Sequence, residues 1–209
     1  MTEEKRKFFL SIYYPLGFIL LIWLIKIIEI TFNISFIKYG LLPHHLSGLI
    51  GIITYPLIHE NFNHLISNSI PLLFLGIGLV YFYPNAALKV FIMVYFIPGI
   101  LIWFFARTAY HIGASGLVYG LVTFFFFSGI IRRDNRSIAL ALVVTFLYGG
   151  LVWGILPIDR TISWEGHLFG SLSGILCAFL FRKSDPPKRY DWEDEPDNDK
   201  PGNMEIHYD

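Results

Sequence analysis

Charge and cysteine are both scarce in this chain of 209 residues. Only 15% of its residues are charged, against about 25% in an average soluble domain. Its one cysteine, Cys177, lies inside an apolar run. A lone cysteine cannot close an intramolecular disulfide, which excludes a small secreted disulfide scaffold. Sixteen basic residues balance sixteen acidic ones, so there is no basic surplus of the kind that nucleic-acid binding calls for. No internal repeat is visible. Apolar character, by contrast, is abundant: 55% of residues are hydrophobic, 18% are aromatic, and the mean hydropathy is +0.56. Such a chain cannot keep a soluble surface wet, and disorder is excluded on the same ground.

Six runs match the roughly 17–25 apolar residues that an α-helix needs to cross a bilayer. They cover about 8–28, 63–82, 86–106, 115–131, 138–156 and 166–181. The expected fold is therefore an all-α membrane protein, a bundle of six transmembrane helices in the lipid bilayer. Twelve of the sixteen basic residues, among them Lys5, Arg6, Lys7, Arg132, Arg133, Arg136, Arg182 and Lys183, fall on one side of that arrangement. The bias of Lys and Arg toward the cytoplasm then puts both termini inside. Span one is too long for a cleaved signal peptide and is not followed by a small-residue cleavage site. The expected organisation is a cytoplasmic N-terminus (1–7), a six-span domain (8–182) and an acidic, proline-rich, disordered cytoplasmic tail (183–209). The segment Thr31–Glu60 mixes Pro43, His44, His45, Gly48, Gly51 and Pro56 with apolar residues. It reads as a long structured loop at the interface, with Leu49–Ile58 able to dip into the bilayer.

Polar groups inside a span are expensive and mark function by default. Three clusters stand out: His59 to Asn68, Gly113-Ala114-Ser115-Gly116, and Gly166-His167 to Gly170. They open spans two, four and six, all of which run from outside to inside, so their first turns share one depth near the outer surface. Acyl transfer is the chemistry that fits. Ser115 opens a helix between two glycines, with a free backbone N–H where an oxyanion would form. His167 suits a general base, since an imidazole ordinarily titrates near neutral pH. His64 and Asn68, at i and i+4, share one helix face and can both donate to that oxyanion. No Asp or Glu occurs inside spans two, four or six, so a Ser-His dyad is expected rather than a triad.

These motifs resemble those of the rhomboids, the intramembrane serine proteases. The resemblance rests on the GASG motif with Ser115, on Tyr119 four residues later, on His64-x-x-x-Asn68 with His59 five residues earlier, and on Gly166-His167-x-x-Gly170. It spans about residues 8–182 in the minimal six-helix bacterial layout. It implies Ser115 as nucleophile and His167 as base, with His64, Asn68 and the Ser115 N–H as oxyanion hole. Gly113, Gly116, Tyr119, Gly170 and His59 would be supporting residues, Tyr119 lying against the catalytic histidine. The implied substrates are single-span membrane proteins, cut from the extracytoplasmic side of a bacterial inner membrane. The Trp-Arg pair common in the family's first loop is missing, which leaves open how this loop is anchored. The alternative function is a rhomboid-like protein that binds transmembrane segments without cutting them. A small transporter or channel is a third, and inverted repeats or intramembrane carboxylates to support it are not seen.

No metal or other cofactor is implied. His59 and His64 are five apart, some 140° around a helix, where the zinc-protease motif needs four. His44 and His45 read as interfacial loop residues. Gly166, Gly170, Gly174 and Ala178 form a small-residue stripe that would pack against Gly116 and Gly120. Trp164, Glu165, Asp159 and Arg160 are placed in the outer loop before span six, Trp164 as an interfacial anchor and Glu165 as an exposed carboxylate. Span five, with Gly149, Gly150 and Gly154, is the candidate for a flexible substrate gate.

Overall fold

A computed structural model describes residues 2–158 and 162–186, and every described element is helical apart from one isolated bridge between Leu41 and His111. The helices are α1 (Glu3–Thr31), α2 (Gly51–Thr54), α3 (Phe62–Phe82), α4 (Ala87–Phe105), α5 (Ser115–Arg132), α6 (Asn135–Tyr148) and α7 (Trp164–Leu180). Five helices are long and apolar enough to cross a membrane: α1, α3, α4, α5, and α6 with its continuation to Ile155. The protein is a multi-pass membrane protein. Its outward surface is apolar, and Phe146, 89% exposed, has almost no protein against it and is suited to lipid. The sixth predicted span corresponds to α7, whose 17 residues rise about 25 Å at 1.5 Å each.

Local chemistry sets where the helices begin. The Asn61 side chain caps α3 by accepting from the His64 N–H at 2.9 Å, satisfying one of the orphan donors of the first turn. That cap fixes the helical phase in which His64 and Asn68 share a face. Asp134 caps α6 in the same way, accepting from the Ser137 N–H at 3.0 Å. The fifth predicted span, 138–156, is α-helical only as far as Tyr148. From Gly149 to Ile155 the chain tightens into a 3₁₀-helix, because two adjacent glycines remove the side chains that favour the α-conformation.

The loop after α1 is folded back on itself and tied at several points. Lys26 Nζ donates to the carbonyls of His59 (3.0 Å) and Glu60 (2.9 Å) and pairs with Glu29 at 3.1 Å. Glu29 in turn accepts from the Phe36 N–H at 2.6 Å. Leu41 and His111 exchange backbone hydrogen bonds of 3.0 and 2.8 Å, and Trp103 Nε1 donates to the His45 carbonyl at 3.1 Å. A Cβ on Gly51 would fall 2.2 Å from Leu41 Cα, so this crossing admits glycine alone. Lys26, Glu29 and the His111 bridge thus anchor the loop that lacks the Trp-Arg pair.

Helix α5 is central and packs closely on α7. A Cβ on Gly170 would lie 2.3 Å from the Gly116 carbonyl, and one on Gly174 2.0 Å from the Gly120 carbonyl. The small-residue stripes are therefore a backbone-to-backbone seam. At the far end of the bundle Tyr83 is fully buried, with the guanidinium carbons of Arg132 and Arg136 at 4.7 and 5.7 Å from its ring centre. Asp185, placed at the start of the predicted tail, is buried and accepts from the backbone N–H groups of Asn85 (2.9 Å) and Ala86 (3.2 Å). The rest of that tail, 187–209, lies outside the described residues.

Candidate active site

Ser115 is the first residue of α5, and His167 is in the first turn of α7. The glycine seam presses these two helices together, which brings Ser115 Oγ to 2.9 Å from His167 Nε2. The other ring nitrogen, Nδ1, is 2.9 Å from the Gly154 carbonyl. A carbonyl can only accept, so Nδ1 carries the proton and donates. Nε2 is then the free acceptor for the Ser115 O–H, an assignment made from the hydrogen-bond network. The Tyr119 ring lies parallel to the imidazole, 7° from coplanar with centroids 4.1 Å apart. The imidazole is thus fixed from three sides: by the serine, by the main chain of the 3₁₀ segment, and by an aromatic face.

The approach to Ser115 is set by an unusual backbone. Gly113 has φ of +103°, a region that side-chain-bearing residues rarely adopt. A Cβ there would also strike the His64 ring at 2.5 Å and come within 3.7 Å of Asn68 Nδ2. His64 and Asn68 therefore close over the residue two before Ser115, and the Gly113 N–H is tied down to the Tyr55 carbonyl at 2.8 Å. His59 supports this turn from behind. It is buried, accepts from the Ala114 N–H at 3.3 Å, and packs edge-on against His64 with centroids 5.0 Å apart. Burial pushes its pKa down to about 3, so the ring is neutral and can accept.

His64, Asn68, Ser115, Tyr119 and His167 all line one cavity of about 580 Å³. Asn68 Nδ2 is buried with no hydrogen-bond partner among the described residues. This donor lies beside a serine whose own N–H opens a helix without an intrahelical acceptor. The structure thus gathers Ser115, His167, His64, Asn68, Gly113, Tyr119 and His59 at one place, with Gly116 and Gly170 in the seam beneath.

The family model described as the rhomboid domain matches residues 46–184. The chain belongs to the rhomboid family. An uncharacterized protein of Mycobacterium tuberculosis is 33% identical over 178 residues, covering 79% of this chain and 72% of that relative. One from Mycobacterium leprae is 32% identical over 174 residues, with coverages of 79% and 69%. A protein of Acanthamoeba polyphaga mimivirus, provisionally named a rhomboid protein, is 27% identical over 143 residues, covering 65% of this chain and 77% of its own.

Two features of this rhomboid differ from the sequence reading or escape it. Glu165 is 3% exposed rather than solvated. It sits in the first turn of α7, with Oε1 3.4 Å from Arg107 Nε, and this long-range pairing allows its burial. Trp164 opens α7 and is half-buried, whereas Asp159 and Arg160 lie outside the described residues. The residue that sequence reasoning missed is Gly154. Its contribution is a main-chain carbonyl, for which no side chain gives a signal. The nearest hint is the run of glycines at 149, 150 and 154. His44 and His45 are exposed, and His44 Nε2 lies 3.2 Å from the Ala106 carbonyl.

Proposed function

We propose that this rhomboid is an intramembrane serine endopeptidase that uses Ser115 and His167 as a catalytic dyad. The observation that carries the reading is the 2.9 Å contact between Ser115 Oγ and His167 Nε2 inside a cavity lined by further donors. Six spans, with α7 as the sixth and both termini in the cytoplasm, give the arrangement in a bacterial cell membrane. The cavity then opens to the extracytoplasmic side, where water enters. The substrates are single-span membrane proteins whose helix enters laterally and unwinds to an extended strand at the cavity.

In the reaction, Ser115 Oγ attacks the scissile carbonyl carbon while His167 Nε2 takes the hydroxyl proton. The Gly154 carbonyl orients the ring and stabilises the imidazolium through Nδ1–H, the part that a carboxylate plays in a triad. The negative oxygen is held by the Ser115 N–H, His64 and Asn68, whose Nδ2 has no partner among the described residues to give up. Such donors contribute most in a water-poor site. His167 then protonates the leaving amine. Water deprotonated by the same ring cleaves the acyl-enzyme and restores Ser115.

Covalent labelling by a fluorophosphonate tests this reading on the detergent-purified protein. Wild type is expected to label at Ser115, Ser115→Ala not at all, and His167→Ala far more slowly. A folded wild type that fails to label would favour the non-cleaving binder, and retention of a transmembrane peptide by that protein would establish it.

A further inference from the structure

The segment joining α4 to α5 is fastened to the start of α7 by side chains that take no part in the dyad chemistry. Arg107 Nε faces Glu165 Oε1 at 3.4 Å, and Arg107 Nη2 donates to the Ile162 carbonyl at 2.6 Å. His111 is 2% exposed, with Nε2 3.2 Å from the Arg107 carbonyl and Nδ1 2.5 Å from Ser163 Oγ. Since the carbonyl can only accept, Nε2 donates to it and Nδ1 accepts from the Ser163 hydroxyl. The Ser163 carbonyl accepts from the Gly166 and His167 N–H groups at 3.0 and 3.3 Å. His111 is also held to Leu41 by paired backbone bonds.

The connectivity is short at both ends. His111 lies four residues before Ser115, and Ser163 lies four residues before His167. We propose that Arg107 and His111, gripping Ile162, Ser163 and Glu165, form a clasp that sets the separation of Ser115 and His167, and that they are positioning residues for the dyad. The glycine seam permits the two helices to approach, but glycines lock neither rotation nor axial slip. A two-point polar clasp at the helix starts supplies that lock. Arg107 suits this role because its planar fork holds a carboxylate through Nε and a carbonyl through Nη2 in one rigid geometry, which the single rotatable nitrogen of a lysine does not fix. The proposal rests on the Ser115–His167 reading.

The test measures two things in detergent: the maximal rate of inactivation and the apparent affinity of a fluorophosphonate, and hydrogen exchange at the α7 amides including His167. Misplacing reacting groups by about 1 Å costs up to roughly a hundredfold. Arg107→Ala, Glu165→Ala and His111→Phe are therefore each expected to slow inactivation about ten- to a hundredfold at unchanged affinity, and to speed exchange at His167. Reversing the pair, Arg107→Glu with Glu165→Arg, should recover most of the lost rate, which a general loss of packing would not do. Should Arg107→Ala not fold, Arg107→Lys carries the test, with a smaller slowing from losing the Ile162 contact. Wild-type rates in these variants, or a reversed pair no faster than the slower single variant, overturn the clasp. Wild type that does not label overturns the hydrolytic reading instead, and exchange at His167 in Arg107→Ala still decides the clasp.

Discussion

The bundle buries polar groups at both ends, and the two clusters differ in what they surround. At the end that includes Tyr83, the guanidiniums of Arg132 and Arg136 donate to the carbonyls of Asp185 and Phe181 at 2.7–2.9 Å. The Asp185 carboxylate accepts from two backbone N–H groups, and Tyr83 donates to Ser137 Oγ at 3.2 Å. These groups bond mainly to one another, although Arg132 Nε and Arg136 Nε have no partner among the described residues, and they tie α3, α4, α5, α6 and the chain after α7 into one knot. At the Ser115 end the same kinds of group surround a cavity, Asn68 Nδ2, His59 Nδ1 and Glu165 Oε2 have no partner among the described residues, and Gly113 is held at positive φ. Buried polarity alone therefore does not mark chemistry in a membrane. Polarity arranged around an open cavity is what sets the Ser115 end apart.

That contrast can be broken at several points. The largest effect is expected from Ser115→Ala or His167→Ala, with turnover of a transmembrane substrate falling roughly 10⁴-fold or more while the thermal midpoint stays close to wild type. Asn68→Ala is expected to lose about 10²–10³ in kcat and to unfold no earlier than wild type, since its amide has no partner to lose. The far end should behave in the opposite way. Asp185→Asn is expected to lower stability by about 1–3 kcal/mol through weakened charge-assisted bonds, read in thermal unfolding, with kcat little changed. Gly174→Val lies between the two: a side chain driven into the Gly120 carbonyl should cost roughly 1–3 kcal/mol, and it should slow inactivation of Ser115 as the seam widens.

A pH dependence separates the two ends in a further way. His59 has a folded pKa of about 3 against an ordinary 6.5, so the folded protein binds fewer protons than the unfolded chain between those values. The stability it contributes is fully present above pH 6.5 and is lost as pH falls toward 3. His59→Asn, which keeps an acceptor for the Ala114 N–H, should flatten that part of the stability profile. An unchanged slope would show that another group titrates there.

Much of this was legible in the sequence because membranes write in long runs. Apolar stretches located the helices, and GASG, His64-x-x-x-Asn68 and Gly166-His167-x-x-Gly170 fell at helix starts where geometry could bring them together. The misses share a cause. Glu165 looked solvated because its partner, Arg107, is 58 positions away, and pairing at that distance leaves no local trace. Gly154 was noticed for flexibility, whereas its carbonyl is what meets His167. The 3₁₀ segment escaped because an apolar run with glycines reads the same whether its turns hold 3.6 residues or 3.0. The loop after α1 is held by Lys26, Glu29 and a bridge to His111, contacts that no spacing rule announces.

The partner of His167 Nδ1 is main chain, and this shapes how the site can fail. A carboxylate in that position can be exchanged by a single codon change or neutralised by acid. A peptide carbonyl can be neither, so the orientation of the ring is written into the course of the chain itself. In the proposed reaction the acidic limb of the activity profile therefore counts one proton, that of His167. The weak point moves from chemistry to mechanics: whatever displaces the Gly149–Ile155 segment disarms the base, without touching any residue that a motif search would find.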